Sequence, residues 1–476
     1  MKKISIYIFF FSFLVSIISC SKYLDVNKDP NNPTDVNESL ILAPVIASIS
    51  TNVAGGSFSQ LNYNGVAMIT SYWMQQIALN QDQPQIDGYK CRPDDVDQAW
   101  LTMYATILEN LKLLDAKAVK SGNNSYGVIS KILTAYTLGI TTDMWGDVPF
   151  SKALNGLNGQ YKSVYDKQED IYKNLQAMLD SAIAQNQKPA GGSLPKGDDF
   201  IYGGNMVKWQ KFAYALKARY YMHLTKAVGY TPIGQANLAL NAISKSFDKE
   251  SDEANYKSYT ASPGSESPWF VNTEDGQGGV VLASNLIDSL IIRNDPRLGV
   301  IATKGNGGNY LGRPTGENAA PDVKIYSTLN TFYADAGAKQ LIMSFAELQF
   351  LKAEANLIVN GSTIANVDYV NAMTAGFNRL GVNIADASVI SFMANRNIAY
   401  SQNALKAIIE DKVIANLLSP ENYNDWRRTG YPILNLVQNA FTPTIPVRFP
   451  YPLNERTSNV QPEHIAKFST PVWWAK

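Results

Sequence analysis

The residues of this chain best placed to do chemistry are few, and the first is a cysteine. Cys20 closes the run Ile17-Ile18-Ser19-Cys20, which has the form of a lipobox: the thiol is diacylated and the cysteine then becomes the new amino terminus. The second of the two cysteines, Cys91, has no partner, so no intrachain disulfide is expected and stability must come from core burial. Only two histidines exist, His223 and His464, far apart in sequence, and a serine triad or a two-histidine metal site would have to use both. Zinc would find no thiolate supply. Gly192-Ser-Leu-Pro-Lys-Gly197 opens like a phosphate loop, yet Asp198 stands where the lysine is needed and Asp199 adds a second repulsive charge. Asp25, Asn27 and Asp29 alternate like the first half of a calcium loop, but Pro30 occupies the position of its glycine and no glutamate closes it. Two acids converging in space as in a glycoside hydrolase are not visible from spacing alone. The acids that can be placed have structural positions: Glu169 and Glu347 at the third position of capping boxes that start at Asp166 and Ser344, and Asp94 and Asp95 in the first turn of a helix. No catalytic residue, metal or cofactor is expected.

Helices must carry whatever site exists. Val96, Trp100, Met103, Ile107, Leu111 and Leu114 recur at helical spacing, and Gly122 ends that run. Ile129, Ile132, Leu133, Tyr136 and Ile140 form a second stripe after a short loop, an arrangement that favours antiparallel packing. A third helix follows Asp166, a fourth follows Asn205, and helices resume at Ser344 and around Leu405 to Leu417. Between Lys249 and Met343 the pattern breaks into Gly, Pro, Asn and Ser, a span long enough to suggest a functional surface. The tail from Gly430 holds seven prolines and reads as extended.

Lys plus Arg equals Asp plus Glu at 41 each, so no global field favours nucleic acid. The 26 Tyr and 8 Trp, set among many Asn and Gln, are a palette for surface recognition. At the amino end, Met1-Lys2-Lys3 precedes an apolar stretch that is shorter than the ~20 residues a membrane span needs. The expected organisation is a signal peptide over 1–19, a lipidated tether over 20–38 and one domain over 39–476. Within that domain a helical scaffold occupies about 94–247 and 344–428, with a loop-rich, ligand-facing insertion at about 249–343.

Several segments, in order, resemble the SusD/RagB family of outer-membrane lipoproteins, and its SusD-like branch in particular. They are Tyr23-Leu-Asp-Val-Asn27 with Asp29-Pro-Asn-Asn-Pro33, Asp143-Met-Trp-Gly-Asp-Val-Pro-Phe150, Asn294-Asp-Pro-Arg-Leu298 with Tyr310-Leu-Gly312, Ser344 to Ala355, Asp425 to Pro432, and Arg448 to Pro452 with Glu455 and Asn459. The resemblance implies a mainly α fold of tetratricopeptide-like helix pairs packed against irregular loops. It implies a lipid anchor in the outer membrane, facing the exterior, and a TonB-dependent SusC-like transporter as partner, over which the lipoprotein sits as a hinged lid. Its ligands are usually oligosaccharides, and one branch takes peptides.

In this family ligand contacts vary, so they are inferred here from chemistry. A sugar offers an apolar face flanked by hydroxyls and calls for exposed rings beside amide fingers. Tyr72, Trp73, Gln76 and Tyr89 form one such segment, and Trp269, Phe270 and Asn272 form another. The expected function is glycan capture without catalysis. Its rivals are a RagB-like peptide binder, a surface glycoside hydrolase and a purely structural surface protein. Mass spectrometry of the mature amino terminus is expected to find fatty acyl groups on Cys20; an unmodified, freely diffusing secreted chain would contradict the anchor.

Overall fold

The computed structural model describes residues 36–56, 58–59, 62–63, 65–274, 279–319, 324–459, 461 and 466–476. Cys20, the leader, Asp25, Asn27, Asp29 and His464 lie outside that set. The fold is mainly α. Its longer helices are α1 Glu38–Ser48, α2 Val66–Trp73, α3 Glu109–Ser121, α4 Asn124–Trp145, α5 Gln168–Asn186, α6 Met206–His223, α7 Pro232–Ile243, α8 Ser284–Ile292, α9 Phe345–Val359, α10 Ser362–Arg379, α11 Ala387–Gln402, α12 Ala404–Ala415 and α13 Glu421–Thr429. Six short strands matter here: β1 Ile77–Leu79, β2 Val148–Pro149, β3 Tyr165–Asp166, β4 Ala254–Tyr256, β5 Val280–Leu282 and β6 Gln340–Met343, which pair antiparallel as β1 with β5, β2 with β3 and β4 with β6.

Consecutive helices pack one on the next from α3 through α4, α5, α6 and α7, and α7 meets α9, which also meets α10 and α12. Each step of this succession has a local cause. Gly122 at φ 73° caps α3, and Asn205, Thr231, Ser344 and Asn403 each accept a backbone N–H in the first turn of α6, α7, α9 and α12. Gly139 lets α4 approach α6 closely, because a Cβ there would lie 2.3 Å from Tyr220 Oη.

Two expected capping boxes resolve differently. Ser344 Oγ does accept from Glu347 N at 2.8 Å, but the Glu347 carboxylate turns inward and takes Arg219 Nε at 2.8 Å and Nη2 at 2.9 Å. Asp166 is not a cap at all. It sits in β3, where its carboxylate accepts from Phe150 N and Ser151 N, while Asp147 Oδ1 accepts Gln168 N and so serves the start of α5 from a distance. The sequence motif around Trp145 thus ties a helix exit to the next helix entrance.

Where α4, α5, α6, α9 and α13 converge, ionisable groups are buried together. Asp143 accepts from Tyr172 Oη, from Trp474 Nε1 at 2.9 Å and from Asn424 Nδ2 at 3.1 Å. His223 Nδ1 lies 2.7 Å from Tyr172 Oη, and its Nε2 faces Glu421 Oε1. The Tyr172 hydroxyl thus lies between Asp143 and His223, and both imidazole nitrogens have a partner. Burial pushes the Glu421 carboxyl up, yet His223 and Arg219 outweigh it and hold the group well below its ordinary range. Asp143 goes the other way: burial dominates over His223 and raises it. Beside this cluster Arg428 joins Glu354 and, at 2.8 Å, Asp425, which also meets Lys412 at 2.6 Å.

Breaking a buried pair by deleting one partner costs about 3–5 kcal/mol, because the survivor keeps an uncompensated charge. Arg219→Met is therefore expected to lower the unfolding free energy by roughly that amount in urea titration; a change under about 0.5 kcal/mol, the scale of a surface substitution, would show the network to be dispensable.

Candidate ligand-binding cleft

The end of α2 and the start of β1 make a tight corner at Met74-Gln75-Gln76. Gln75 adopts the left-handed region at φ 53°, and Gln76 N donates to Ser71 O while Gln76 O accepts from Ala283 N. The β1–β5 ladder, with Ile77 opposite Leu282, then delivers the chain into α8. As a result Gln76 faces Asn285 and Ser289 of α8 across a cleft of about 280 Å³, closed on its other sides by Arg293, Lys406 and Glu410. It continues into a second hollow of about 410 Å³ that shares Gln75, Asn285 and Ser289 and reaches Asp288, Ile292 and Leu436.

The floor is polar and held rigidly. Gln76 is 2% exposed; its Oε1 accepts from Leu418 N at 3.1 Å, and its Nε2 has no partner within the protein. A buried amide donor without a partner costs about 1–3 kcal/mol, so a ligand acceptor there would recover that loss. Gln75 Nε2 donates to Asn435 O at 2.6 Å and to Tyr89 Oη at 3.2 Å, which pins the strap 432–438 against the corner. Arg293 is oriented by Asp411 Oδ1 at 2.6 Å and Asp295 Oδ2 at 3.3 Å, and its Nε has no protein partner. Arg297 and Arg396 share Asp411, Tyr369 donates to it, and Arg297 lies over the rings of Phe377 and Phe392. The Asn294-Asp-Pro-Arg segment is therefore a support for the cleft wall. The rim is aliphatic: Ile292 is 79% exposed, and Ile433 and Leu436 stand beside it.

The sequence model of the SusD-like family, described as starch-binding and associating with the outer membrane, matches residues 30–452. The chain belongs to the SusD-like family. Among solved structures, this SusD-like chain is similar to a SusD/RagB family protein from Bacteroides thetaiotaomicron, with 25% identity, a TM-score of 0.78, and 93% of this chain and 99% of that one covered. It also shares its fold with a chitin-binding protein (24% identity, TM-score 0.75, 92% and 100% covered). A chitin-binding SusD homologue from Flavobacterium johnsoniae gives 20% identity and a TM-score of 0.77, with 92% and 98% covered. No curated protein matches the chain. The SusD-like family is one of nutrient-binding proteins tied to the outer membrane.

Of the expected contact residues, the structure brings Gln76 to the cleft and buries most of the others beneath or away from it. Tyr72 and Trp73 are 0% exposed, because they form the last turn of α2 and not a loop. Trp73 packs edge-on against Tyr423 and Phe449 at 5.7 and 5.1 Å and donates from Nε1 to Ile86 O. Tyr89 is buried and acts through Gln75. The Trp269 segment is a short helix, Pro268–Glu274, whose indole packs under Gly56 and whose Asn272 Nδ2 donates to Pro268 O at 2.7 Å and to Gly56 O. Phe270 is half-buried and lines neither hollow. Tyr72, Trp73, Tyr89 and Trp269 are core rings, and as placed they offer no platform to a sugar.

The residues missed lie on α8. Leu286, Ile287 and Leu290 carry helical spacing that marks an element inside the supposed loop, and that spacing puts Asn285, Ser289 and Arg293 on the neighbouring stripe, which lines the cleft. His223 is buried, with both nitrogens engaged, so it serves packing. Asp199, the second acid after the apparent phosphate loop, accepts from Ile201 N, Tyr202 N, Gly204 N and Trp209 Nε1, a fully structural role. Among the described residues no group of three or more His, Cys, Asp and Glu could hold a metal, and no helix is long and apolar enough to cross a membrane.

Burial pushes the Asp411 carboxyl up, but Arg293, Arg396 and Arg297 together prevail and bring it down to about 2 from 3.8. A carboxyl depressed in the folded state contributes stability that is complete above its unfolded pKa and disappears as pH falls through the folded one. Asp411 should thus add on the order of 2 kcal/mol above about pH 4, lost between about pH 4 and pH 2. Urea midpoints measured across that window should fall less steeply for Asp411→Asn than for the natural chain; parallel curves would contradict the assignment.

Proposed function

We propose that this protein captures oligosaccharides at the outer surface of the outer membrane, held there through acylated Cys20, and passes them to a TonB-dependent SusC-like transporter. It binds and does not catalyse. The observation that carries this reading is the unpartnered Gln76 amide at the base of a cleft that also offers Asn285, Ser289, Arg293 and Lys406 as donors and Glu410 and Asp288 as acceptors. Hydroxyl and acetamido groups match such an alternation of donors and acceptors, and the chitin-binding structural neighbours support it.

One observation favours the second reading, a peptide ligand. Among the described residues lining the cleft there is no aromatic ring, and the rim is formed by Ile292, Ile433 and Leu436, which suit aliphatic side chains better than a pyranose face.

Calorimetric titration of the purified protein with chito- and malto-oligosaccharides and with a set of short peptides separates the two. Gln76→Ala together with Asn285→Ala is expected to weaken the best sugar roughly tenfold or more, the scale of one or two lost buried hydrogen bonds. Tight peptide binding with no sugar response would select the peptide reading, and an unchanged sugar affinity in the double variant would remove the cleft as the site.

A further inference from the structure

A second concavity lies away from the cleft, where the β4–β6 ladder ends. Its volume is about 520 Å³, within the ~300–1,000 Å³ range of small-molecule sites, and Asn255, Lys257, Phe332, Lys339 and Arg379 line it with Glu250 and Glu253. The ladder's last pair is Tyr256 opposite Gln340, so Lys257 and Lys339, the next residue on each strand, leave it side by side. Like charges directly opposed on antiparallel strands are destabilising unless something of opposite sign separates them. The neighbouring acids supply only part of it. Asp252 and Asp248 are taken by Lys211 at 2.6 and 2.9 Å. Glu253 accepts from Phe345 N at 3.1 Å and from Asn255 Nδ2 at 3.2 Å, and stands 3.9 Å from Arg379 Nε. Glu250 is the other acid on the lining, so two carboxylates stand against the three basic groups Lys257, Lys339 and Arg379.

Arg379 is held in place by its environment. Its side chain is 9% exposed, and its guanidinium lies over the Phe332 ring at 5.3 Å from the centroid. A planar fork fixed by stacking beside two ammonium groups is the donor arrangement that suits a carboxylate or sulfate. The Lys257 ammonium is disfavoured first by burial and then by Lys208 and Lys339, which outweigh the smaller opposing pull of Asp199 and Glu253.

We propose that this concavity is a second binding site, one for the anionic group of an acidic ligand, in which Lys257, Lys339 and Arg379 grip a carboxylate or sulfate and Phe332 with Asn255 meets the ring that bears it. It is separate from the cleft around Gln76 and shares no lining residue with it. An acidic glycan, with uronate or sulfate-ester groups, is the ligand class this chemistry selects.

Calorimetry with tri-galacturonate, with inorganic sulfate and with a neutral trisaccharide tests it. Tri-galacturonate or sulfate should bind, and the affinity should fall as ionic strength rises from about 10 to about 150 mM. Lys257→Gln with Lys339→Gln should weaken that binding roughly tenfold, at an unchanged unfolding midpoint, while Gln76→Ala leaves it intact. Sulfate binding without galacturonate binding would support the site and assign it to sulfate esters. The proposal is overturned if neither anion binds, if the double variant binds both as well as the natural chain, or if Gln76→Ala abolishes the binding.

Discussion

Asp143, Arg219, His223, Glu347 and Glu421 come from helices spread over most of the chain and meet where water does not reach. Placing any one of these charges in the interior alone would be prohibitive, so each helix is obliged to present its partner at the right height. That requirement sets the register of α4, α6, α9 and α13 against one another more tightly than aliphatic packing could, since apolar contacts tolerate sliding and bidentate ion pairs do not. Trp474 donates into the same group at Asp143, so even the last residues of the chain are fixed by it. Everything nearer the surface, the cleft included, is built on a frame whose geometry is decided there.

The cleft itself repeats the principle on a smaller scale. Its walls come from the corner at Met74-Gln75-Gln76, from α8, from α12 and from the strap 432–438, and no two of these adjoin in sequence. Asp411 draws Arg293, Arg297 and Arg396 together, which joins α8 to α11 and α12. Gln75, with two donated hydrogen bonds and a backbone conformation unusual for a side-chain-bearing residue, joins the corner to the strap. Polar groups at the base are left without partners only because the surroundings are over-determined enough to hold them there.

The helical scaffold was legible in the sequence because its signals are local. Stripes such as Ile129, Ile132, Leu133 and Tyr136, and caps such as Asn205, Ser344 and Gly122, report on their own neighbourhood and needed no tertiary information. The buried ion pairs were not legible, since Glu347 carries the same local signature whether it folds back on its helix or reaches across to Arg219. The expected contact rings failed for a related reason. Trp73 and Trp269 sit beside Gln and Asn in the sequence, but adjacency does not say which side of the backbone faces water; Trp73 points into Tyr423 and Phe449 while Gln76, three residues on and itself 2% exposed, lines the cleft. The α8 stripe was readable and was masked by the Gly, Pro and Ser around it.

The charged interior also bears on the order in which the polypeptide can settle. His223 precedes its carboxylate partner Glu421 by 198 residues, and Asp143 precedes Asn424 by 281 and Trp474 by 331, so both wait for the stretch that begins at Glu421. A nascent polypeptide that has not yet exposed that stretch holds helices it cannot lock. The frame closes only when those residues are present, so the helices gathered around Asp143 and His223 keep unmet polar groups in any shorter amino-terminal portion of the chain.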